Sequence, residues 1–222
     1  MNAPVSPKEL WRGRLELPNY EVREAGRFAG VHANTVWRWH KNTTLGSRDA
    51  GSKLSYLQLI ELAMVAAWKS AGMKLADIRT ARAFYAGAFN TRHPFATLRL
   101  KTDGVDLAMD AGADLLIGNK GGQLAWKSFI GQKFKEFEYD DEGLATRWHV
   151  AGFDSPVTID PRIQFGAPAV KGVPTWAILG RWQAGEPVDE IADDFSLTDA
   201  LVRQALSFEG ASASDKRPKW SH

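Results

Sequence analysis

His32, Asn34, Thr35 and Arg38 fall within seven consecutive residues, and together they hold the polar groups that read the edges of base pairs. An arginine fork pairs bidentately with guanine, an asparagine amide pairs with adenine, and histidine or threonine adds single contacts. Arg38 and Asn34 are therefore the principal candidate readers. Arg23, Arg27, Lys41, Arg48 and Lys53 lie around them, and their cations suit phosphate, where they would position a helix rather than read bases. Trp37 sits in the middle of this group, beside an apolar stripe, and the sequence favours packing over contact with a ligand for it. A second cluster, Lys216, Arg217, Lys219 and Trp220, joins positive charge to one aromatic anchor. Such a segment suits an acidic protein surface and would order there; its other reading is a solubilising end. A third cluster, Asp189, Glu190, Asp193 and Asp194, lies in the first turns of an expected helix. There, carboxylates complement the helix dipole from a solvated face, so no metal is expected.

Other chemistry is excluded or left without a signature. The chain has no cysteine, which removes disulfides, thiolate metal sites and thiol nucleophiles. His32, His40, His93, His149 and His222 are scattered, without the two-His spacing of a metal-binding helix. Gly118-Asn119-Lys120-Gly121-Gly122 lacks the lysine and hydroxyl placement of a phosphate loop and reads as a hairpin turn. No nucleophile motif is evident, so the expectation is a protein that is not an enzyme and carries no cofactor.

The elements that must position these residues follow from hydrophobic period and punctuation. Val22, Ala25, Phe28 and Ala29 form one helical stripe, Gly30 breaks it, and Val31, Val36, Trp39 and His40 form another, so two short helices meet at a tight turn. Asn42 to Lys53, rich in Thr, Gly and Ser among cations, reads as a loop or small wing. Ser55 is a good N-cap for an apolar helix from Tyr56 to Ala71, closed by Gly72, and a further helix runs from Leu75 to Phe89. From residue 95 to 152 the period changes to two, with Asp103-Gly104 as a hairpin signal, and a small antiparallel sheet is expected. Three short helices close the fold: Thr175 to Ala184, Pro187 to Phe195, and Asp199 to Glu209 with Thr198 as its cap. The expected segments are an arm at 1–19, a DNA-binding domain at 20–92, a β region at 93–156, a three-helix unit at 157–210 and a flexible basic tail at 211–222.

At 222 residues, 44% hydrophobic and 24% charged, the chain is apolar enough to fold as one large or two small domains. No apolar run approaches the ~20 residues that span a bilayer, and the first residues lack the layout of a signal peptide, so a cytoplasmic location is expected. The net charge of +2 hides a division. Residues 1–100 hold fifteen Lys and Arg against seven Asp and Glu, whereas residues 151–210 hold four against nine. The basic half offers counterion release to a polyanion and the acidic half would be repelled by one, so the two halves should meet different partners.

Tyr20-Glu21-Val22-Arg23-Glu24-Ala25, Gly30-Val31-His32 and Asn34-Thr35-Val36-Trp37-Arg38-Trp39 resemble the first helix, turn and recognition helix of the MerR type of winged helix-turn-helix. His32 and Ala33 replace that family's usual Ser-Pro pair. A second stretch, containing Ile159-Asp160-Pro161, Phe165-Gly166-Ala167-Pro168, Gly172-Val173-Pro174-Thr175 and Ile191-Ala192-Asp193-Asp194-Phe195, resembles the domain of unknown function DUF433, which is expected to be homeodomain-like. The combination is similar to the larger VapB-type antitoxins. That resemblance implies an α+β, mostly helical protein: an N-terminal winged helix-turn-helix, a small antiparallel sheet in the middle and a C-terminal three-helix unit. It also implies a homodimer that binds and represses its own operator DNA and neutralises a PIN-like ribonuclease toxin, with Lys216, Arg217, Lys219 and Trp220 on the toxin. A different transcriptional regulator, a one-component sensor or a protein-interaction adaptor is the alternative.

Overall fold

The computed structural model of the chain describes residues 7–42, 44, 53–97 and 132–211. The expected Asp103-Gly104 hairpin, the Gly118–Gly122 turn, most of the loop at 42–53 and the basic tail lie outside the described residues. The fold mixes helices and short antiparallel strands, with helices predominating. It divides into two compact units, residues 1–146 and 147–222.

The first unit begins with α1 (Pro7–Arg14), inside the stretch expected to be an arm. Proline is a loop signal in the sequence, yet at the first position of a helix its fixed φ is favourable and its missing N–H costs nothing. Leu15, which follows α1, is buried, and its carbonyl accepts a hydrogen bond from the Leu57 amide at 3.2 Å. Strand β1 (Tyr20–Glu21) pairs antiparallel with β2 (Lys53–Leu54), Tyr20 opposite Leu54. Between them run α2 (Val22–Ala29) and α3 (Ala33–Lys41).

The turn between α2 and α3 is held by two glycines with different functions. Gly30 takes the left-handed conformation that ends α2, and the Val31 amide donates back to the Gly26 carbonyl at 2.8 Å. At Gly26 the constraint is space. A Cβ there would lie 2.4 Å from the Val31 carbonyl oxygen and 3.3 Å from a Val36 methyl carbon, so only glycine lets α3 come this close. The His32 ring nitrogen Nδ1 then accepts from the Asn34 amide at 3.2 Å and caps α3.

Helix α4 (Tyr56–Ser70) starts at a full capping box, Ser55 accepting from the Gln58 amide while the Gln58 side chain accepts from the Ser55 amide. Nearly its whole first half is buried, and α5 (Leu75–Phe89) packs on it through Ile78, Ala81 and Tyr85. Burial pushes the Tyr85 phenol up to about 12. A charge also lies inside: Glu61 is fully buried on α4, takes Arg82 Nε at 3.0 Å, and accepts from the Phe95 amide at 3.3 Å. Arg82 also donates to the Arg92 carbonyl, and His93 Nδ1 lies 3.8 Å from Glu61. This network fastens residues 92–95 to α4. Pro94–Ala96, where the stretch of period two was expected to begin, form a 3₁₀ turn, with Pro94 opening it. A second 3₁₀ turn (Phe134–Glu136) leads into β3 (Phe137–Tyr139), and Arg12 of α1 forms ion pairs with Asp140, at 2.6 Å, and with Glu142 in the loop that follows.

The second unit takes up the chain within β4 (Ala145–His149). In strand order β3-β4-β5-β6-β7, β4 pairs with β5 (Val157–Ile159), β5 with β6 (Ala169–Val170), and β6 with β7 (Val173–Pro174), all antiparallel. Strands of two or three residues are too short to announce themselves by alternation, and β5 to β7 have no counterpart among the expected elements. Helices α6 (Thr175–Gln183), α7 (Val188–Asp194) and α8 (Asp199–Phe208) follow within a residue or two of their expected bounds. Their core is Ile178, Ile191, Val202, Ala205 and Leu206, and Trp148, Ile159 and Val170 are buried in the same unit. No helix among the described residues is long and apolar enough to cross a membrane.

Candidate nucleic-acid interface

Helix α3 has a sharply two-sided character. Val36, Trp39 and His40 are buried, whereas Asn34, Trp37, Arg38 and Lys41 are exposed. The exposed four have the i, i+3, i+4, i+7 spacing that places residues on one side of a helix. No acidic residue occurs in α3, and its last turn is basic. Arg38 donates from its guanidinium to the Thr35 hydroxyl at 3.4 Å, a long contact that leaves most of its fork outward. The Lys41 ammonium stands over the Trp37 ring, 4.7 Å from the centroid.

The expected reading residues thus come together on one short element. His32, at the helix start, is exposed and its ring acts as the cap; Thr35 is half-buried at the side. Trp37 departs from the expectation of packing: it is 52% exposed, while Trp39 is 7% exposed. The two indoles differ by two helix positions, about 200° around the axis, so one must face out when the other faces the core. That signal is present in the sequence once Trp39 is assigned to the buried stripe.

The expected phosphate contacts have mixed surroundings. Arg23 and Arg27 lie one turn apart on α2, both exposed, and the Arg27 guanidinium stands 5.0 Å above the Phe28 ring. Lys53 on β2 is exposed and pairs with Glu21 on the neighbouring strand at 3.2 Å. An exposed pair of that kind is weak and screened, so the lysine can exchange its partner for a phosphate at little cost. Arg48, and with it Lys216, Arg217, Lys219 and Trp220, lies outside the described residues.

The second unit presents a contrasting surface. Asp189, Glu190, Asp193 and Asp194 are exposed on α7. Arg181 bridges Glu186 and Asp194, and both hydrogen bonds raise its pKa above the usual guanidinium value. Among the described residues no group of three or more His, Asp or Glu is arranged to hold a metal ion. Asp160, almost fully buried, is the strongest local organiser. Its carboxylate accepts from the Arg162 amide at 2.9 Å, from Arg162 Nε at 2.8 Å, and from Arg147 Nε at 3.1 Å. Burial pushes its pKa up, but the Arg162 hydrogen bonds and the two positive charges outweigh this and hold it below the usual carboxylate value. The Ile159-Asp160-Pro161 motif is therefore a turn lock.

Residues 157–208 match the model of the family described as protein of unknown function (DUF433), a stretch that falls inside the second unit. Over 226 aligned residues the chain is 25% identical to a Mycobacterium tuberculosis protein named "Putative antitoxin VapB45", covering 87% of this chain and 94% of that protein. The fold matches the crystal structure titled Rv2018 from Mycobacterium tuberculosis, with a TM-score of 0.73 at 22% identity, across 87% of this chain and 99% of that one. The likeness of structure takes in residues of both units.

Proposed function

We propose that the protein is the antitoxin of a toxin–antitoxin pair, a cytoplasmic homodimer that binds its own operator DNA through α3 and neutralises a PIN-like ribonuclease without being an enzyme itself. One observation carries the DNA reading: α3 turns Asn34, Arg38 and Lys41 outward together, with no carboxylate on the helix. Placed in a major groove, such a helix offers an amide for adenine and a guanidinium for guanine, while Arg23, Arg27, Lys41, Arg48 and Lys53 hold phosphates. Strand β2, which follows α3 in the chain and pairs with β1, serves as part of the wing of a MerR-like helix-turn-helix, and a two-fold dimer would read a palindrome. The toxin reading draws support from the relative's name and from the acidic second unit, whose charge repels nucleic acid and suits a protein partner. The basic tail at 211–222 is the segment that orders on the toxin.

Mobility shift on the DNA upstream of the gene tests the first part. Arg38→Ala should weaken binding by about 1–3 kcal/mol and relax sequence preference at one base pair in each half-site. Unchanged affinity and preference would take Arg38 out of the reading role. For the second part, co-expression of the chain with a PIN-like ribonuclease encoded beside its gene should restore growth, and removal of residues 211–222 should abolish the rescue. Full rescue by the shortened chain would assign toxin binding to another surface.

A further inference from the structure

Resting on the DNA-binding reading, we infer that Trp37 and Lys41 form one composite contact to the sugar–phosphate wall of the groove, a positioning pair that seats α3 and reads no base. Three observations converge on it. Trp37 is 52% exposed, although an indole is among the most favourable side chains to bury. The Lys41 ammonium is held 4.7 Å above its ring, so an apolar plane and a cation are presented as a unit. The third is angular. At about 100° per residue, Asn34, Arg38 and Lys41 fall within an arc of roughly 60° opposite buried Val36, Trp39 and His40. Trp37 lies about 60° to the side of Asn34, on the flank of that arc. When the centre of the arc faces the groove floor, the flank faces its wall.

The chemistry of the wall fits the pair. A deoxyribose ring offers an apolar face to the indole, and the adjacent phosphate accepts from the indole N–H while the ammonium neutralises its charge. On the groove floor the apolar target is the thymine methyl, and a residue reading it would stand at the centre of the arc rather than its edge. Lys41, steadied over the ring, arrives at the phosphate with fewer rotamers to lose.

Trp37→Ala, Trp37→Phe and Lys41→Gln in the full chain test the pair against two duplexes of equal length, the upstream sequence and a scrambled one, over a salt series. Circular dichroism establishes that each variant is folded. Trp37→Ala should weaken both duplexes by the same factor, roughly tenfold, and leave their ratio unchanged; Trp37→Phe, which keeps a ring but loses the N–H, should fall between. Lys41→Gln should lower the slope of log K against log salt by about 0.9 per phosphate lost. The double variant should lose less than the product of the single losses. Replacing thymine by uracil should leave the affinity of the native chain unchanged, because the pair touches no thymine methyl. The inference is overturned if Trp37→Ala binds as tightly as the native chain, if its loss is confined to the upstream duplex, or if uracil substitution mimics it. A native chain that binds neither duplex would overturn the DNA reading as well, a separate and recognisable result.

Discussion

Asp160 and Glu61 show how much a single buried carboxylate can organise, and neither is among the residues that suggest function. Asp160 has its pKa lowered in the folded state. Its stabilising contribution is therefore fully present above the unfolded carboxylate value of about 3.9 and is lost as pH falls through the depressed folded value. Denaturant titrations from pH 7 down to pH 2 should show the native chain losing stability below about pH 4. Asp160→Asn should lose less in that range, and should begin on the order of 2 kcal/mol weaker at pH 7 because three charge-assisted hydrogen bonds are degraded. At Glu61, replacement by Gln leaves Arg82, whose side chain is 12% exposed, without its counter-charge. A loss of about 3 kcal/mol is expected from urea denaturation, and Arg82→Met in the same background should recover part of it. The sequence announced neither network. Glu61 sits in an otherwise apolar helix, and its partners Arg82 and the Phe95 amide are 21 and 34 residues away, a separation that no local pattern encodes.

Among the elements, the α2–α3 pair depends on close approach more than on propensity. Gly26→Ala places a methyl 2.4 Å from the Val31 carbonyl oxygen, so the helices must separate. A cost of about 3 kcal/mol and a loss of DNA affinity larger than that of any single phosphate contact should follow, read by denaturation and mobility shift on the same preparation. Gly30→Ala is the contrasting case. Its φ is +66°, and no atom lies within 4 Å of the place a methyl group would take, so only backbone strain of about 1 kcal/mol is expected. Equal effects of the two would remove steric approach as the explanation. The two glycines look alike in the sequence, where Gly30 was legible as a stop and Gly26 was hidden within an apolar stripe. Capped helices were the most legible elements: Ser55, Thr198, Gly30 and Gly72 mark ends that the structure reproduces, since caps are local hydrogen bonds between residues two to four apart.

At the scale of the whole molecule, charge is divided along the chain, residues 1–100 being basic and residues 151–210 acidic. Under the proposed division of partners, neutralising Asp189, Glu190 and Asp193 together should change DNA affinity less than twofold while weakening a protein partner that binds α7; a large gain in DNA affinity would show that the two stretches do not act separately. The sequence by itself determined the bounds of the capped helices from Ser55 onward, Asn34 and Arg38 as the principal polar pair of α3 and the opposed charges of the halves, because these depend on residue type and on spacings within a few turns. The tertiary structure alone decided that α1 replaces an arm, that Glu61 is buried against Arg82 and that strands of two residues complete the second unit. Each of those outcomes depends on which distant segment closes over a residue, and that is settled by packing rather than by period.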